Sequence, residues 1–209
     1  MITSPEDLTV QTVKALQPRY IFFPHWSRRV PDAILDIAEC VCFHMTDLPY
    51  GRGGSPLQNL IIAGHTETVV SALRMETGLD TGPIYLKRPM NLDGRAQDIY
   101  ERAAEIAFGM IGNIVQDQPV PVPQSGEVTV FERRMPAESE LPAGASMQQF
   151  YDHVRMLDAD GYPRAFVNHG NLRMELSEAR QTSTGEITAR VSVCGPASSS
   201  APGKGGGKN

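Results

Sequence analysis

Two side chains in this sequence are of the kind that move protons, and each sits where a fold can expose it. His44 closes an apolar run at residues 40–43 and opens onto a loop holding Thr46, Leu48, Pro49, Gly51, Arg52, Gly53 and Gly54, after which Ser55-Pro56 starts a helix. Asp80 lies in Gly78-Leu79-Asp80-Thr81-Gly82-Pro83-Ile84, a turn between two more strand-like runs. Imidazole exchanges a proton in the neutral range, and a carboxylate beside it fixes the ring and stabilises its cationic form. A strand, a polar loop and a helix N-terminus in succession is also where open α/β sheets place their ligands.

Alone, each residue has an ordinary reading: a satisfied core histidine, and an aspartate capping its own turn. The joint spacing with an Arg-Gly loop between them favours a site. Side chains alternate along a strand, so Cys40, Cys42, His44 and Thr46 share one face. A Cys-x-Cys-x-His row invites zinc, but one strand would have to supply three ligands and no other Cys or His pair completes a set of four; no metal is expected. A thiolate pair of Cys42 with His44 is disfavoured, because residues two apart on a strand do not readily meet.

The elements that must hold these residues are legible in outline. Ser4-Pro5-Glu6-Asp7 starts a short helix over 4–16, and 19–23 is a buried strand stopped by Pro24. Residues 25–31 form a loop and 31–37 a brief helix. The strand 39–43 carries His44. Ser55 as N-cap, Pro56 at the first helical position and Gly64 past the end mark a helix. Residues 69–75 and 84–87 read as strands, with 89–94 a loop. From 95 to 115 the apolar residues Ile99, Ala103, Ile106, Met110 and Ile114 recur at helical spacing. Beyond a Pro-rich stretch at 119–126, residues 128–131 read as an edge strand, Ser146 caps a helix, and 161–167, 171–178 and 186–193 read as three short strands.

The expected domains are 1–118 as a catalytic α/β domain, 119–127 as a stiff linker, 128–194 as a small β-rich domain and 195–209 as a disordered tail of Gly, Ser, Pro, Ala and Lys. Of the 209 residues 41% are hydrophobic, enough for a packed core. A net charge of −5, with only the scattered pairs Arg28-Arg29 and Arg133-Arg134, argues against holding a nucleic-acid backbone. Three cysteines without an apolar leader suggest a reduced, cytoplasmic protein, and no run is long enough to span a bilayer.

The residues Leu48-Pro49-x-x-Arg52-Gly53-x-x-Pro56 and Asp80-x-Gly82-Pro83-Ile84, at this distance from His44, resemble the folate-dependent N-formyltransferases. The likeness runs from Tyr20 to about Ala179 and includes Arg133-Arg134-x-Pro136 past the catalytic domain. It implies a Rossmann-like α/β sheet, here N-terminally shortened, followed by a small β-rich domain. It also implies 10-formyltetrahydrofolate as formyl donor and transfer to an amine. His44 would accept the proton of the attacking nitrogen, and Asp80 would orient the ring.

Where the family has a catalytic Asn, this chain has Cys42, a weak donor; Thr46 and Asn59 are the candidates to replace the lost amide. The resemblance gives the segment Trp26, Ser27, Arg28 and Val30, with Leu48, Arg52, Gly53 and Leu79, to the folate. Trp26 either stacks on the pterin or covers the sheet end, and Arg52 either meets an anion or shapes its loop. Charge favours a small acceptor, an amino sugar on a nucleotide, over tRNA. The alternatives are a non-catalytic, partner-completed protein or a formyl hydrolase. The strand 19–23 lacks the neighbours that the family places beside it, so a homodimer covering that edge is expected.

Overall fold

The computed structural model describes Ile2, residues 4–26 and residues 28–195. Ser27 and nearly all of the expected tail, from 196 onward, lie outside the described residues. The chain divides into two compact units, Met1–Asp93 with Asp98–Arg134, and Gly94–Gln97 with Met135–Asn209.

The first unit begins with a 3-10 turn at Pro5–Asp7 and helix α1 (Val10–Leu16). The single helix expected over 4–16 is thus split, because the Thr9 side chain accepts from the Thr12 backbone N–H and restarts the helix there. Strand β1 (Tyr20–Phe23), helix α2 (Asp32–Leu35) and strand β2 (Glu39–His44) follow. A two-residue strand β3 (Arg52–Gly53) precedes helix α3 (Pro56–Ile62). Ser55 does not cap α3 with its side chain; it has φ +50, and its hydroxyl instead accepts from the Arg134 backbone N–H at 3.0 Å. Strands β4 (Glu67–Arg74) and β5 (Ile84–Asn91) and the long helix α4 (Ala96–Asp117) complete the run.

The main sheet has the order β1-β2-β4-β5, with β1 and β2 parallel and the other pairs antiparallel. Val70, Ser71, Ala72 and Leu73 are buried in succession, as befits a strand covered on both faces. One apolar cluster joins Val13 of α1 and Ile34 of α2 to Phe23, Val30 and Cys40. α4 buries Ile99, Ala103, Ala107, Met110 and Ile114 at the periodicity read from the sequence, with Ile106 only half-buried. Each large apolar side chain buried there is worth about 1.5–3 kcal/mol.

Two boundaries differ from expectation. β5 continues through Pro89 to Asn91, where 89–94 reads as a loop: β5 is the sheet edge, and a proline opposite Val69 costs no ladder bond on its open side. The stretch 119–127, expected as a stiff linker between domains, is instead tied to the first unit. Ile84 and Val122 exchange both backbone hydrogen bonds at 2.8 Å, and strand β6 (Val130–Phe131) pairs in parallel with β3, not with the main sheet. The first unit therefore runs to Arg134 and not to 118. β1, at the other edge, pairs only with β2 among the described residues.

The second unit holds a 3-10 turn at Pro136–Ser139, helix α5 (Met147–Arg155) and the antiparallel sheet β7 (Ala165–His169), β8 (Leu172–Gln181) and β9 (Ile187–Cys194). Ser146 and Gln149 form the expected capping box. Val154, Met156, Leu157, Phe166 and Leu176 are buried, and Asp158 accepts from the Glu178 backbone N–H at 2.7 Å. Together the two units make the Rossmann-like α/β fold with a β-rich C-terminal domain.

Candidate active site

β2 ends on His44, which lies opposite Ser71 of β4. The chain beyond it is tied down residue by residue. Thr68 donates to the Met45 carbonyl at 2.9 Å, Ser71 to that of Thr46 at 2.7 Å, and Lys87 to that of Leu48 at 2.6 Å while pairing with Asp47. This brings the Gly51 carbonyl back over the strand end, where it accepts from His44 Nε2 at 2.8 Å and from the Thr46 hydroxyl at 3.3 Å. Gly51 is required there. Its φ is +72, and a Cβ would stand 2.7 Å from the Phe131 ring and 2.8 Å from the Thr46 methyl.

A carbonyl partner means that Nε2 carries hydrogen, so the nitrogen left for proton exchange is Nδ1. Asp80 Oδ2 lies 3.6 Å from it, close enough for a charge interaction and too far for a hydrogen bond. The ring is thus oriented by Gly51, where the sequence pointed to Asp80 alone. Asp80 Oδ2 accepts from the Gly53 backbone N–H at 2.9 Å, which ties the Arg-Gly loop to the aspartate turn. Both side chains are nearly buried, His44 10% and Asp80 14% exposed.

Cys42 lies on the same face and is half-buried. Burial raises its thiol far above the ordinary range, and the Asp80 carboxylate adds to the shift, so at neutral pH it is a neutral thiol and not a nucleophile. Cys40, buried in the apolar cluster, is pushed up to about 11 by desolvation. Among the described residues no group of three His, Cys, Asp or Glu side chains is placed to hold a metal.

The two residues expected to replace the missing Asn have no donor to spare. The Thr46 hydroxyl is spent on Gly51, and the Asn59 amide donates to the carbonyls of Gly54 and Glu132, both at 3.0 Å. Of the residues assigned to folate by resemblance, Arg52 and Gly53 lie at the site. The Val30 and Leu48 side chains are core, 2% and 1% exposed, so only their main chains remain to meet a ligand. Leu79 is exposed beside Asp80, and Arg28 is exposed and paired with Glu6. Trp26 packs edge-on against Phe23 at 5.3 Å, and its buried indole N–H has no partner among the described residues.

Sequence reading missed Gln124. Its carboxamide receives Arg52 Nε and Nη2 at 3.1 and 2.8 Å and donates to the carbonyls of Asp80 and Gly82 at 2.7 and 2.8 Å. Two of the Arg52 nitrogens are thereby tied to Gln124. The only hint in the sequence is a polar side chain ending a proline-braced run.

A family profile described as "Formyl transferase" matches residues 4–108, and one described as "Methionyl-tRNA formyltransferase, C-terminal domain" matches residues 136–194. The solved structure of methionyl-tRNA formyltransferase from Clostridium thermocellum superposes with a TM-score of 0.90 at 47% identity, covering 93% of this chain and 86% of that one. The methionyl-tRNA formyltransferase of Xylella fastidiosa (strain M23) is 36% identical over 85% of this chain and 60% of its own length. HypX from Aquifex aeolicus, solved in complex with tetrahydrofolic acid, shares the fold at a TM-score of 0.69 and 19% identity, over 86% of this chain and 33% of that one. The chain spans between half and three-fifths of the length of the curated relatives it matches.

These relatives overturn the expectation of a small acceptor and no nucleic acid, since they are named for a tRNA-linked amine. The charge argument failed because −5 is a sum over the whole chain. Such a sum does not say how charge is distributed over the surface.

Proposed function

The chain belongs to the formyl transferase family, and on that premise we propose that it transfers a formyl group to the amine of an aminoacyl-tRNA, methionyl-tRNA above all. The observation that carries this reading is the His44 ring held on the Gly51 carbonyl with Nδ1 turned to Asp80. A base fixed in this way takes the proton of an attacking amine without first having to reorient. Asp80 balances the charge that the ring gains. The Trp26 N–H, without a partner among the described residues, suits a ligand that presents an acceptor, as a pterin does, and the Trp26 to Val30 loop with Arg52, Gly53 and Leu79 would hold it. 10-Formyltetrahydrofolate supplies the formyl group when bound.

Incubation with 10-formyltetrahydrofolate and methionyl-tRNA should give formylmethionyl-tRNA, read by mass spectrometry of the released amino acid. Formylation of a nucleotide-linked amino sugar in place of the tRNA would reject the acceptor, and formate release without any acceptor would make the protein a hydrolase. A second reading has its own support in β1, which among the described residues is paired on one side only. In that reading another polypeptide segment completes the sheet, and the isolated chain binds a folate analogue without turning over.

A further inference from the structure

We infer that Gln124 is a positioning residue, which closes a ring of hydrogen bonds through Asp80, the partner of His44, and so sets where the Asp80 carboxylate stands. The inference rests on the reading of that pair as the reacting groups. A carboxamide has two lone pairs and two N–H bonds, and Gln124 uses all four, two toward the Arg52 guanidinium and two toward the carbonyls of Asp80 and Gly82. Its orientation is unique. Exchanging oxygen and nitrogen would set N–H groups against the guanidinium and an oxygen against two carbonyls.

The ring closes through the site itself. Arg52 donates to Gln124, Gln124 holds the main chain of Asp80, the Asp80 carboxylate holds the Gly53 N–H, and Gly53 is bonded to Arg52. Three segments distant in sequence are thus fastened at one point. Asp80 needs the restraint, because its φ of +52 lies in the left-handed region, which a residue with a Cβ keeps only when its surroundings impose it. The turn is braced from the far side as well: a Cβ on Gly82 would fall 1.8 Å from the Arg74 carbonyl, so the turn is pressed against the end of β4. Gln124 is delivered by the two-way Ile84–Val122 bridge, two residues away on a backbone stiffened by Pro121 and Pro123.

The test reads the Gly53 amide, whose N–H the ring protects. Hydrogen exchange of this amide, followed by NMR on the full chain, should speed up by about tenfold or more in Gln124→Ala, because Asp80 loses the hydrogen bond that holds its main chain in place. Gln124→Glu, of the same size, keeps an acceptor for Arg52 but turns a carboxylate on two carbonyls, and should speed exchange in the same direction. In an Asp80→Ala background, where the ring is already open, Gln124→Ala should add nothing. In the otherwise wild-type protein, turnover in Gln124→Ala should drop about 10- to 100-fold at unchanged folate-analogue affinity. Unchanged Gly53 exchange in both Gln124 variants, or effects that add in Asp80→Ala, would overturn the inference. The exchange measurement needs no turnover, so it separates this inference from the formyl-transfer reading.

Discussion

Two loops flank the candidate chemistry, and they are built in opposite ways. Between His44 and Gly54 nearly every polar group is spoken for: carbonyls on Thr68, Ser71 and Lys87, the imidazole on Gly51, an amide on Asp80, a guanidinium on Gln124. Among the described residues, the loop after β1 shows fewer polar contacts. Pro24, His25, Arg28 and Arg29 are exposed, and the two arginines make surface ion pairs with Glu6 and Asp32, contacts of small energetic weight. Groups that meet developing charge work best when fixed beforehand, whereas a loop that grips a ligand gains from being able to move. On the proposed function, chemistry falls to the first loop and ligand capture to the second.

The largest effect should come from the fixed loop. His44→Ala or Asp80→Ala should lower formyl transfer by about 100-fold or more, while each loses on the order of 1 kcal/mol of stability, about 2–4 °C in the melt. Near-wild-type turnover in either variant would place the chemistry elsewhere. A smaller gain is expected from Cys42→Asn, which restores an amide donor where Thr46 and Asn59 have none free. Turnover should rise by about tenfold, part of the 100- to 1,000-fold that one such donor is worth; a fall would mean that the strand leaves no room for the amide. The smallest signal belongs to the loop after β1. Trp26 is the only tryptophan, so fluorescence excited selectively at tryptophan, beyond the tyrosine absorption, reports on that loop. A folate analogue should shift its emission in the wild type and in His44→Ala alike, and an unresponsive Trp26 with the analogue demonstrably bound would remove the loop from the ligand site.

How far the sequence was readable depended on whether a signal was local. α4 announced itself through the spacing of Ile99, Ala103, Met110 and Ile114, and the Ser146 cap and the three C-terminal strands were equally plain. The shared face of Cys40, Cys42 and His44 followed from alternation alone. Pro89 misled because a proline stops an inner strand but not an edge one, and edge position is a property of the sheet. Thr46 and Asn59 were placed near the site with the right chemistry, but what already consumes their donors is a carbonyl folded back from elsewhere. Gln124 was out of reach for the same reason: its four partners come from residues far away in the chain.

The proline-braced run after α4 looks like the natural place to cut when the catalytic unit is wanted by itself. The pairing of Val122 with Ile84 and of β6 with β3 makes that the wrong cut. A chain stopped at residue 118 would keep His44 and Asp80 yet lose Gln124 and the Phe131 ring that packs over Gly51. Such a truncation would fold as a sheet with its signature residues present and its active site slack, and an inactive fragment of that kind would say nothing about the whole. The earliest safe terminus is beyond Arg134, whose backbone N–H still holds Ser55 at the head of α3.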